Sequence, residues 1–204
     1  MDVDRRWSLA CLPWLALLQP GSAFAQVDSF QRGMPAADVR VYEQARSLRA
    51  QKHRDQAIAL LQGLVGRQPD YFNAQFELAL ALSDTPESIG QSIPVFEKAA
   101  ALKRGHPEVT DARVFNSLGW AYMYNGDTAK ARQAFTEAEQ NLAQLTPQFQ
   151  GKLYNNIGNL NLSTGKASEA KKSFAIAADK GSQQAKFNLQ VLEAANKRQQ
   201  VKKE

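Results

Sequence analysis

Two groups of side chains in this sequence have types and spacing suited to non-covalent recognition. Arg113, Asn116, Trp120, Met123 and Tyr124 form the first, and Lys152, Asn155, Asn156, Asn159 and Leu162 the second, with 39 positions separating Arg113 from Lys152. Across that offset basic answers basic and Asn answers Asn. A carboxamide can hydrogen-bond the backbone of an extended chain, a cation can hold a carboxylate, and an indole offers a broad apolar plate. Such groups hold a ligand; they do not turn one over. The residues of covalent chemistry are sparse. His53 and His106 are the only histidines, both in polar turn-like stretches without a carboxylate partner at ligand or triad spacing. Glu137 and Glu139 fall on different helix faces, and no phosphate-cradling Gly loop occurs. The expectation is therefore no catalytic residue, no metal, no cofactor and no small-molecule substrate.

The elements that must position these groups are written twice. "FNSLGWAYMYNGDTAKARQAF" (115–135) aligns with "YNNIGNLNLSTGKASEAKKSF" (154–174), keeping aromatic, Asn, aliphatic and Gly in register. Phe115, Leu118, Gly119 and Tyr122 share one face of a 3.6-residue helix. Asn125-Gly126-Asp127 then breaks it, and Ala131, Phe135 and Ala138 form a second stripe; in the later copy Ala138 is answered by Ala177. Each copy thus reads helix, turn, helix. If that stripe is buried, the polar and aromatic groups above lie on the exposed side of the first helix of each pair.

This pattern resembles the tetratricopeptide repeat, whose motif sets a bulky residue, Leu-Gly, an aromatic, Ala, Phe and Ala at fixed offsets. The resemblance implies an all-α, right-handed superhelix of antiparallel helix pairs. It makes Gly119/Ala131 and Gly158/Ala170 the small pairs at close helix crossings and Phe135 and Phe174 the wedges between them. It also implies that Arg113, Asn116, Trp120, Tyr124, Lys152, Asn155, Asn156 and Asn159 line one concave wall that takes a protein or peptide segment, the Asn residues bonding its backbone and the basic residues its acidic groups. The full carboxylate-clamping set of some family members is missing, because the earlier copies offer Tyr42, Arg46, Phe76 and Leu80 at these offsets.

Those earlier copies are degenerate. One carries Ala45, Leu48, Ala57, Leu61, Leu64 and Pro69, the other Ala79, Leu82, Phe96 and Ala99. Ala45 to Ala79 is 34 positions, Ala79 to Gly119 is 40 and Gly119 to Gly158 is 39. The added length predicts longer helices around 137–156. Pro94 predicts a helix that starts late, with Ser92 as N-cap. A last helix bearing Phe187, Leu189, Leu192 and Ala195 is expected to close the stack with a polar back.

The domain organisation expected is a leader over 1–25, an extended lead-in over 26–37, one repeat domain over 38–196 and a basic tail over 197–204. Arg5-Arg6, the apolar run Trp7 to Leu18 and Ala23-Phe24-Ala25 read as a secretory signal cut before Gln26. The apolar run is short for a membrane span. Cys11, the only cysteine, lies inside that leader, so the mature chain is expected to have no disulfide or lipid. Net charge is +5 and the pI about 9.3. The tail supplies +3 of that charge, which argues against nucleic acid and allows weak contact with an anionic membrane surface. The reading is an exported, periplasmic, non-enzymatic adaptor for assembly of an envelope, pilus or secretion system. The alternatives are a structural protein that self-associates through Phe72, Phe76 and Leu80, and an enzyme accessory subunit.

Overall fold

The Gly-polar breaks become turns between paired helices. The computed structural model describes residues 34–201, with side chains to 194. The described residues form nine α-helices, with no strand among them. They run α1 (Ala36–Ala50), α2 (Arg54–Arg67), α3 (Phe72–Leu82), α4 (Ile89–Gly105), α5 (Arg113–Tyr124), α6 (Thr128–Gln140), α7 (Pro147–Ser163), α8 (Ala167–Asp179) and α9 (Gln183–Val201). Odd helices pair with the even helix that follows; α5 also touches α7, and α7 touches α9. That places first helices side by side, as the superhelical arrangement requires. The leader, Cys11 and Gln26 lie outside the described residues, as do Lys202, Lys203 and Glu204 of the tail.

Local sequence explains where helices start and stop. Gly126 (φ +86°), Gly165 (φ +77°) and Gly181 (φ +88°) take the left-handed backbone that ends α5, α7 and α8. The Asp127 carboxylate then accepts from the Lys130 N–H at 3.0 Å to start α6. Thr146 and Ser182 hydroxyls cap α7 and α9 similarly, and Pro147 occupies the first turn where its missing N–H costs nothing.

Close crossings fix the geometry inside each late pair. A Cβ built at Gly119 would stand 2.5 Å from Phe135 Cε1, and one at Gly158 would stand 2.5 Å from Phe174 Cδ1. Glycine is thus the space that the Phe ring fills. Ala131, Ala138, Ala170 and Ala177 are fully buried beside those rings. The core runs along the stack in three clusters, one around Tyr42, Leu61 and Leu64, a central one from Phe72 to Leu160, and one around Phe174 and Ala185.

Several sequence expectations are corrected. Pro94 lies inside α4, which starts at Ile89 after a 3-10 turn at Pro86–Ser88, so Ser92 is no N-cap. Ile89 is buried in the core and anchors the extra turn. The carbonyl that Pro94 leaves without a donor belongs to Gly90, which is exposed to water. Ser92 Oγ instead donates to the Ile89 carbonyl at 2.7 Å. The extra length between the last two repeats goes into α7, at 17 residues, and a 3-10 turn at Leu142–Gln144; α6 stops at Gln140. Helix α1 begins within the expected lead-in, and α9 continues into the expected tail, to Val201. Phe72 and Phe76 are 1% and 3% exposed, packed in the central cluster with Phe96, so they cannot pair two copies. Phe187 is 60% exposed while Leu189 and Leu192 pack on Phe174, so the outer side of α9 is not polar throughout. The Ala195 side chain lies outside the description.

Candidate partner-binding site

Most of the side chains singled out in the sequence converge, though not as one free wall. Asn116 and Trp120 from α5 and Lys152, Asn155 and Asn156 from α7 line a cavity of about 450 Å³. Its other wall is the α8–α9 junction, with Lys180, Gly181, Ser182, Gln183 and Gln184, and Gln148 at its end. These residues meet because α5, α7 and α9 are neighbouring first helices.

The amides are tied to one another. Asn156 Nδ2 donates to Asn116 Oδ1 at 3.0 Å, joining α7 to α5. Asn188 Nδ2 donates to Asn155 Oδ1 at 3.1 Å and to Asn159 Oδ1 at 3.4 Å, joining α9 to α7. Each carboxamide has two N–H donors and two acceptor lone pairs, so one such bond leaves capacity for a ligand while fixing the rotamer. Asn188 escapes the sequence reading because α9 reads there as a cap. Its place is the one a first helix gives to Asn, 33 positions after Asn155.

The basic residues are less alike than their spacing suggests. Arg113 Nε donates to Asp111 Oδ1 at 2.7 Å and its Nη2 to Asp111 Oδ2. The guanidinium also lies 5.5 Å from the Phe76 ring centroid and 5.1 Å from that of Phe149. Hydrogen bonding to Asp111 holds its pKa above the ordinary value, so it stays charged but already neutralised. Lys152 Nζ sits 4.9 Å from the Phe149 centroid, on the same ring, and remains exposed at the cavity edge. Lys180, absent from the sequence-based set, is the second ammonium there. Its pairing with Lys152 depends on how α8 ends beside α7, which no single-helix pattern encodes.

Aromatic groups complete the site. Trp120 is half-buried, with its ring 5.8 Å from that of Tyr124, which is 55% exposed. Tyr124 and Asn159 therefore extend the region beyond the cavity lining. Groups of three or more His, Cys, Asp and Glu that could hold a metal do not occur among the described residues. No described helix is long and apolar enough to cross a membrane.

Comparison with known proteins agrees with this architecture. Residues 42–107 match a family profile described as a tetratricopeptide repeat, and residues 112–140 match a second profile of the same description. No curated protein sequence matches the chain significantly. Among solved structures, a crystal structure of MamA protein is similar at 17% identity and a TM-score of 0.65, covering 80% of this chain and 84% of that one. MamA from residue 41 to the end, of Desulfovibrio magneticus RS-1, shares 18% identity with a TM-score of 0.60 over 71% and 75% of the two chains. TTC0263, a thermophilic TPR protein in Thermus thermophilus, shares 22% identity with a TM-score of 0.55 over 81% and 84%. At these identities the likeness is one of fold. With one profile match running from α1 to the end of α4 and the second over α5 and α6, the chain carries tetratricopeptide repeats on an all-α fold.

Proposed function

We propose that the chain is a non-enzymatic scaffold that holds an extended segment of a protein partner at the cavity between α5, α7 and α9. The observation that carries this reading is the convergence of Trp120, the three fixed carboxamides of Asn116, Asn155 and Asn156, and the Lys152 and Lys180 ammonium groups on one opening. A segment placed there sets an apolar side chain on Trp120, bonds its backbone to Asn116, Asn155 and Asn156, and brings an acidic group to the two lysines. Repeat folds of this class serve protein–protein interaction, which supports the assignment. We place the mature chain in the periplasm, starting at Gln26 after leader removal, in the assembly of an envelope, pilus or secretion system. The sequence of the leader is the basis for the compartment, and the resemblance to the repeat family is the basis for the assembly role.

The test is a photo-crosslinker at Trp120 in the exported protein, followed by mass spectrometry of the captured segment and of the chain's own N-terminus. Trp120→Ala should weaken capture of that segment by about 2 kcal/mol or more, with an unchanged circular dichroism spectrum. Changing Lys152 and Lys180 together to Gln should slow association and flatten its salt dependence. Capture that is indifferent to both changes would rule out this cavity.

A further inference from the structure

The turn between α1 and α2 differs from the three later turns in one residue. After α5, α7 and α8 a left-handed glycine is followed by an N–H that bonds five residues back, Asp127 to Tyr122, Lys166 to Asn161 and Ser182 to Ala177. The first turn closes in the same way, with the His53 N–H on the Leu48 carbonyl at 2.8 Å and a left-handed φ of +65°, yet the residue there is Lys52. A residue with a Cβ is strained in that conformation. Nothing in the packing asks for a lysine, since Lys52 is exposed and its ammonium has no carboxylate within ion-pair reach among the described residues.

What lies beside it is a cavity of about 700 Å³ lined by Lys52, Arg46, Arg49, Arg54, Glu77 and Asp84. Three of the four cations already have partners, Arg49 and Arg54 at short range and Arg46 more loosely. Arg49 donates to both Asp84 oxygens, at 2.9 and 3.0 Å, and to Glu77 at 3.3 Å. Arg54 donates to the Ala81 carbonyl at 2.9 Å and to the Ser88 hydroxyl. Arg46 is half-exposed, pairs with Glu43 at 3.5 Å and Glu77 at 3.7 Å through Nη1 and Nε, and lies over the Tyr42 ring, which leaves its Nη2 donors. Donors therefore remain on Arg46 and Lys52, within walls fixed by the Arg49 bonds.

We propose that Lys52 and Arg46 form a second binding site, apart from the Trp120 cavity and independent of it, that takes an acidic peptide segment. The backbone strain at Lys52 is then retained for its charge, a stability given up for a contact. Glu77 and Asp84 decide the ligand class. A compact polyanion would press charge against both, whereas carboxylates spaced along an extended peptide reach Arg46 and Lys52 while the backbone passes the acids.

The test is fluorescence anisotropy with a short labelled peptide of alternating Glu and Ser, beside urea unfolding of the same proteins. Lys52→Gly should bind about tenfold more weakly, the loss of one charge-assisted contact, and yet unfold at higher urea because the strain is relieved. Arg46→Gln should weaken binding as well. Lys171→Gln, which removes the same charge from α8, should leave affinity unaltered. Full affinity in Lys52→Gly, or an equal loss in Lys171→Gln, would overturn the site. A lower urea midpoint in Lys52→Gly would also overturn it, because the lysine would then serve the fold. Displacement of the peptide by inorganic phosphate at matched ionic strength, or Lys52-dependent capture by phosphatidylserine vesicles in place of the peptide, would overturn the ligand class.

Discussion

The glycines show how one atom decides a position. At Gly119 a methyl group would stand 2.5 Å from the Phe135 ring, which is itself buried and cannot retreat. Overpacking of this kind costs about 1 to 3 kcal/mol, against a gain of about 0.5 to 1 kcal/mol for replacing Gly by Ala inside a helix. The steric term wins. Gly119→Ala should lower the unfolding free energy, and Gly119→Leu and Ala131→Leu should do so by about 1 to 3 kcal/mol or more. Gly66 in α2 has nothing within 4 Å of its added Cβ. Gly66→Ala should accordingly raise the urea midpoint, by about 0.5 to 1 kcal/mol of stability. The same chemical change with opposite signs at two helical glycines checks the close-crossing argument, and equal effects at both would refute it.

At the scale of elements, the first helix pair is latched by one carboxylate. Asp38 in the first turn of α1 accepts from Arg67 Nη2 at 2.8 Å and Gln68 Nε2 at 3.1 Å, at the far end of α2. The Arg67 hydrogen bond, with that of Gln68, holds the Asp38 carboxyl below the usual carboxylate range. A pKa depressed on folding stabilises the fold above the unfolded-state pKa, and that contribution is lost as pH falls through the folded-state value. Asp38→Asn should therefore lower the urea midpoint near neutral pH, and its gap from the wild type should close in the acid range below about pH 4. A gap of equal size at both ends would show that the latch is not electrostatic. Pro94 makes the companion case for α4. Its missing N–H is tolerated because Gly90, whose carbonyl loses its donor, is an exposed residue and Ile89 pins the turn before it.

Across the whole molecule, stability passes from neighbour to neighbour along the stack, so its ends matter. Helix α9 covers Phe174, Ala170 and Ala177 through Ala185, Leu189 and Leu192, leaving Phe187 and Val191 outside at 60% and 51% exposure. Leu189→Asp should lower the melting temperature by removing an apolar contact with the Phe174 cluster and setting a charge on that partly buried face, whereas Phe187→Asp should change stability by no more than about 0.5 kcal/mol; differential scanning calorimetry of the two variants separates the faces. The sequence by itself determined the helix pairs and the glycine breaks between them, because these follow from local periodicity and backbone preference, while the resemblance to the repeat family supplied Gly119/Ala131 and Gly158/Ala170 as small pairs with Phe135 and Phe174 as wedges. The sequence also marked Asn116, Trp120, Lys152, Asn155 and Asn156, since offsets repeated between copies put equivalent positions on equivalent faces. Only the tertiary structure decided which of them remain available. Arg113 is spent on Asp111 and the Phe76 and Phe149 rings, Lys180 and Asn188 arrive from other elements, and Phe72 and Phe76 disappear into the core. The physical reason is that a periodic pattern fixes which way a side chain leaves its own helix, whereas burial and pairing are set by what the neighbouring helices bring to meet it.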